Sequence, residues 1–147
     1  MSQTSDEAAR TTPQTAAQTV FEAIGGEAPL RALVDAFYDR MDADPAFAGL
    51  RALHPPSLAG SRDKLFWFLC GWSGGPDHYV GRFGHPRLRA RHLHVAIGLA
   101  ERDQWMYCMA AAMRQRGLPE FLQRRLLEAF FQTADWMRNK PEAAPGG

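Results

Sequence analysis

Cysteine is scarce in this chain: 147 residues hold only Cys70 and Cys108. Both fall inside apolar helical patterns. That excludes a disulfide framework and reads as two buried thiols in a reducing compartment. Charge of one sign is not in excess either. With a formal net charge of +1, no general electrostatic attraction to nucleic acid or to an anionic membrane is expected. No apolar run approaches the length of a membrane span. No basic head followed by an apolar core opens the chain, so a secretory signal is not expected and a cytoplasmic protein is. Period-two alternation is missing over any useful length, which argues against a sheet. What remains is an all-α protein, one domain long enough to bury a real core.

The chain then divides by composition. Residues 1–18 are Ser, Thr, Gln and Ala with few large apolar groups, and they cannot offset their chain entropy by burial; a disordered tail is expected. A folded domain is expected over 19–140 and a frayed tail over 141–147. Val20 to Ile24 makes a short helical turn, stopped by Gly25-Gly26 with positive φ. A helix from Pro29 to Met41 carries Leu30, Leu33, Val34, Phe37, Tyr38 and Met41 on one face. Tyr38 is the odd member, because a buried hydroxyl needs a partner. A short helical piece from Asp44 ends at His54-Pro55-Pro56. A second helix, Leu58 to Trp72, has Leu65, Phe68, Leu69 and Trp72 as its expected buried stripe, with Ser61 one turn earlier. Ser73-Gly74-Gly75-Pro76 ends it. The next stretch, His78 to Phe83, reads as loop or broken helix because Gly81 and Gly84 interrupt it. Arg87 to His94 predicts a short helix. Leu99 to Arg116 predicts a long one with Trp105, Cys108, Met109 and Ala112 inward. Pro119 starts the last, with Leu122, Leu126, Ala129, Phe130, Thr133 and Met137 inward.

The segment from Gly84 to Trp105 concentrates the chemistry. It holds His85, His92 and His94, three of the five histidines in the chain, together with Arg87, Arg89 and Arg91. A histidine among arginines suits a cofactor that needs a nitrogen ligand for its metal and carries acidic groups at its edge. Haem has both features, iron at its centre and propionates outside. On a helix, His92 and His94 point to nearly opposite sides, so only one of them can face a pocket.

Several features now coincide in order: Gly25-Gly26, then Phe37-Tyr38, then Gly74-Gly75 before a proline. Gly84-His85-Pro86-Arg87-Leu88-Arg89 and Arg91-His92 follow, and Glu101-Arg102-Asp103 leads to Trp105 and Cys108-Met109. With this ordered set the chain resembles a truncated haemoglobin of the second of the family's main groups, over Val20 to Lys140. The resemblance implies a two-over-two helical sandwich around haem b. It implies His92 as the proximal iron ligand, with Tyr38 and Trp105 lining the distal side where gas binds. His54 falls where the family usually has an aromatic residue on the haem, and histidine there is a departure. Ser61 falls at the gate position, and Leu65 and Phe68 at the distal wall. Lys64, Tyr79 and Arg91 are the candidates for the propionates, and His85 for bracing the haem edge.

The implied function is binding of oxygen and other small diatomic ligands (carbon monoxide and nitric oxide among them) with tight binding and slow release. Peroxide, as a further ligand, or oxidation of nitric oxide would make the protein a redox enzyme with Tyr38, His54 and Trp105 as catalytic candidates and an unknown reductant. Neither nucleic acid nor membrane is an expected partner, and the family includes monomers and homodimers. A reading of another class is a zinc site built from His78, His85, His92 and His94 in a non-catalytic helical protein. Their spacing does not match paired-ligand motifs. A helical interaction module without cofactor is the other, and it leaves the aromatic excess unexplained.

Overall fold

The computed structural model describes residues 18–84, 92 and 96–139. The expected tails over 1–17 and 141–147, the expected helix over 87–94 (except His92), and the side chains of His85, Arg91 and His94 lie outside the described residues. Among those described, all regular structure is helical. In chain order α1 is Val20–Ile24, α2 Glu27–Ala43, a 3₁₀ turn Pro45–Phe47, α3 Ala48–Arg51 and α4 Ala59–Trp72. Then come α5 His78–Phe83, α6 Leu99–Gln115 and α7 Glu120–Trp136.

Local signals account for most boundaries. The Thr19 hydroxyl accepts from the Glu22 N–H while the Glu22 carboxylate accepts from the Thr19 N–H, a reciprocal cap that starts α1. Gly25 ends it at φ 112°, as the glycine pair predicts. Helix α2 begins two residues before its Pro29, which sits in the first turn where no intrahelical donor is needed. Asp44 caps the 3₁₀ turn through its bond from the Ala46 N–H at 2.9 Å.

Two expectations are corrected. The segment from His78 to Phe83 is a helix despite Gly81. The Tyr79 ring meets Phe68 at 6.2 Å and Phe83 at 4.9 Å, and Phe83 meets Trp67 at 6.1 Å. That aromatic packing onto α4 outweighs the ~1 kcal/mol that one glycine costs a helix. The stripe of α4 is also rotated from the expected one. Leu69 is buried as expected, but its companions are Phe66 and Cys70; Leu65 and Phe68 are half-buried and Trp72 is exposed. An aromatic-rich helix has two apolar faces, and which of them meets α2 is a tertiary choice.

Helix α2 lies at the centre, packed against α4 on one side and α6 on the other, and α6 packs against α7. Two helix pairs are thus layered, with Trp72 of α4 reaching Phe130 of α7 at 5.0 Å. The core is Leu33, Val34, Phe37 and Met41 of α2 against Cys108, Met109, Ala112 and Met113 of α6 and Leu122 and Leu126 of α7. Both cysteines are buried thiols, as their apolar context predicts. The Cys108 thiol donates to the Phe37 carbonyl at 3.2 Å, and burial pushes its pKa up to about 12. Outside the core, Arg62 of α4 bonds Asp35 at 3.1 Å and Asp39 at 2.7 Å on α2. No helix among the described residues is long and apolar enough to cross a membrane.

The second glycine pair is a packing site. A Cβ on Gly75 would lie 2.5 Å from the Phe21 ring. The ring cannot simply swing aside, because its Cγ is also within 2.7 Å of that point and the Phe21 N–H is bonded to the Ser73 carbonyl at 2.9 Å. Gly75→Ala is therefore expected to cost about 1–3 kcal/mol, the range of core overpacking. Urea unfolding reads it as a lower midpoint at unchanged slope; an unchanged midpoint would show that α1 yields freely.

Candidate functional site

Tyr38 comes from the buried face of α2 and is 5 % exposed. Burial drives its phenol pKa far above the ordinary value, against the opposing pull of the Arg62 guanidinium, so it stays an O–H donor. Arg62 stands over the ring at 5.8 Å. Trp105 lies half-buried on α6. Tyr38 and Trp105 both pack on Phe37, at ring distances of 5.0 and 5.2 Å, and Trp105 also meets Phe130 edge-on at 5.6 Å.

His54 follows α3 in a bend that the two prolines hold away from helix. Its ring meets Tyr38 edge to face at 5.8 Å. Its Nδ1 lies 3.0 Å from the Leu50 carbonyl. A carbonyl only accepts, so Nδ1 carries the proton. Burial lowers the His54 pKa, the Leu50 bond opposes that, and the charges of Arg51 and His92 lower it further. His54 is thus held toward the neutral imidazole.

His92 is half-buried in a turn. Its carbonyl accepts from the Asn139 side chain at 3.2 Å. Asn139 also exchanges two bonds with Ile97, at 2.8 and 2.9 Å. Asn139, three residues after α7, thereby ties the backbone of His92 and Ile97 to that helix. Asn139 is missing from the sequence reading, and nothing in its local context signals it.

On α4, Ser61, Leu65 and Phe68 are half-buried and Lys64 is exposed. Lys64 reaches over Phe83 at 6.0 Å, and Tyr79 contacts the same ring, so these two are brought to one place. Arg82, over Trp67 at 4.2 Å, is a third polar group there that sequence reasoning missed. Among the described residues no group of three or more His, Cys, Asp or Glu could hold a metal ion. His78, one member of the alternative zinc set, pairs with Glu27 at 3.1 Å, while His85 and His94 of that set lie outside the described residues.

A layered pair of helix pairs, with a buried tyrosine and a tryptophan on one phenylalanine and a histidine against the tyrosine, is the architecture of a shortened globin. Residues 19–139 match the family model described as bacterial-like globin. The chain is 39% identical over 123 residues to the group 2 truncated hemoglobin YjbI of Bacillus subtilis (strain 168), covering 84% of this chain and 90% of that one. Its fold matches the group II 2-on-2 hemoglobin of Agrobacterium tumefaciens with a TM-score of 0.83 at 40% identity, over 88% of this chain and 100% of that one. It also matches the truncated oxygen-avid haemoglobin of Bacillus subtilis, with a TM-score of 0.76 at 37% identity, over 83% of this chain and 100% of that one. The protein belongs to the bacterial-like globins, as a truncated haemoglobin of group II with the two-over-two helical fold. Membership implies haem as cofactor and small diatomic gases as the ligand class. The residues present fit that cofactor: a buried phenol, kept protonated, beside an imidazole held toward its neutral form suits a polar ligand bound at a metal.

Proposed function

We propose that this chain holds haem b through His92 and binds oxygen tightly on a distal side formed by Tyr38, His54 and Trp105. Haem would supply the iron that receives the gas and the propionates that need cationic and hydroxyl partners. Lys64, Tyr79 and Arg91 serve those propionates, His85 braces the edge, Leu65 and Phe68 form the distal wall, and Ser61 leaves the gate narrow in side chain and open to gas. The observation that carries the reading is the Tyr38 side chain: 5 % exposed, its phenol held protonated, with its ring edge-on to both Phe37 and His54. Tyr38 and Trp105 donate to a ligand that gains negative charge on binding. The oxygen-avid relative in Bacillus subtilis supports slow release as the consequence.

The test is the visible absorption spectrum of the purified protein, ferric and then reduced under carbon monoxide, beside that of His92→Gly. We expect an intense Soret band in the wild type. In the variant we expect lost haem or an altered ferrous spectrum. A wild type that takes up no haem on reconstitution would end the reading, and an unaltered His92→Gly spectrum would move the proximal ligand elsewhere.

A further inference from the structure

Gln104, the residue before Trp105 on α6, takes no part in the site as described so far. Its Oε1 accepts the Leu50 N–H at 2.8 Å. It reaches that group because residue 49 is glycine: a Cβ there would lie 3.1 Å from the Gln104 amide nitrogen. The carbonyl of the same residue, Leu50, is the acceptor of the His54 Nδ1–H. From the other side Arg51 clamps the loop after His54, donating to the Pro55 carbonyl at 2.9 Å, to the Pro56 carbonyl at 2.7 Å and to Asp42 at 2.8 Å. His54 therefore has little freedom to turn its ring, and its tautomer is set from α6 through one backbone residue.

We propose that Gln104 is a positioning residue that holds His54 as the Nδ1–H tautomer, so that its Nε2 lone pair serves the distal pocket as a hydrogen-bond acceptor and favours small neutral ligands that arrive with a proton, HX, over aprotic gases. The inference rests on the haem reading above and gives its distal side a second recognition element. Tyr38 and Trp105 are donors and suit a ligand that gains negative charge. His54 offers the complementary group, since a neutral imidazole bonded through Nδ1–H has only an acceptor left. The T-shaped contact between the Tyr38 and His54 rings is no hydrogen bond, so Nε2 is not spent on the phenol. Hydrogen cyanide and carbon monoxide make the cleanest pair of probes. Cyanide anion and carbon monoxide are isoelectronic, but cyanide arrives as hydrogen cyanide, with a proton.

Long-range proton–nitrogen correlation spectra of the reduced carbon monoxide form read the tautomer directly. In the wild type we expect a pyrrole-type Nδ1 and a pyridine-type Nε2 for His54. Gln104→Leu should give a mixture of tautomers, and Gln104→Glu, whose carboxylate can accept the same N–H, should restore the wild-type pattern. In parallel, ferric cyanide association should slow about three- to tenfold in Gln104→Leu and in His54→Leu, while ferrous carbon monoxide association moves less than about twofold, as the loss of one hydrogen bond requires. An Nε2–H tautomer in the haem-loaded wild type overturns the proposal and leaves haem binding untouched. So does Gln104→Leu with an unchanged tautomer, or equal slowing of both probes. A wild type without a Soret band removes the haem reading itself, and this proposal with it.

Discussion

Oxygen release from the haem-loaded Trp105→Phe variant is expected to be about tenfold faster than from the wild type, and in the double variant with Tyr38→Phe about one to three decades faster, at ~1.4 kcal/mol per decade. The ring contacts explain why these substitutions isolate the donors. Phenylalanine at 105 can keep the packing on Phe37 and Phe130, and phenylalanine at 38 keeps the edge contact to Phe37. What is lost is one indole N–H and one phenol O–H. A single net hydrogen bond contributes about 0.5–1.5 kcal/mol, and more where the acceptor carries charge. Carbon monoxide gains little charge on binding, so its release should change by a small factor only. Flash photolysis and stopped-flow mixing give both rates. If the two gases respond equally, the hydrogen-bond role of Trp105 and Tyr38 fails, and a steric role takes its place.

The other large effect falls on the core. Phe37→Ala is expected to destabilise the fold by about 3–5 kcal/mol, the usual range for a fully buried phenylalanine. Phe37 is 0 % exposed and its ring is the shared surface on which Tyr38 and Trp105 rest. A domain of this kind has only about 5–15 kcal/mol in total, so such a loss is a large share of it. The variant should also hold haem less well, because both distal side chains lose their support. Phe37→Leu, which leaves a smaller cavity, should recover most of both. Urea unfolding of the haem-free chains separates the packing cost from ligand linkage. A cost below about 1 kcal/mol, outside the range for such truncations, would mean that the neighbouring helices close the cavity.

The helical boundaries were largely legible in the residues. The Gly25-Gly26 pair, Pro29 in a first turn and the proline pair after His54 act through local backbone sterics, which do not wait for a partner helix. The α2 stripe was legible as well, because its apolar residues share one face and leave one choice. Helix α4 offered two apolar faces, and α5 had aromatic residues that matter only once Phe68 and Trp67 are beside them. Those two segments are where expectation and structure part. The site divides in the same way. Tyr38 stood out as a hydroxyl on an apolar face, whereas His54 and Trp105 entered the site only through the resemblance to a truncated haemoglobin. Gln104, Arg82 and Asn139 are ordinary polar residues in their own elements, and gain meaning only from what lies across from them.

The all-helical class, the placement of the main helices and the ordered pattern of a truncated globin thus follow from the chain alone, since they depend on propensities and periodicities that act over a few residues. The rotation of α4, the folding of α5 and the pinning of the His92 carbonyl by Asn139 were decided by the tertiary structure. So was the hold of Gln104 on the backbone that orients His54. Each is a contact between residues far apart in sequence, and its energy exists only when the intervening helices have packed.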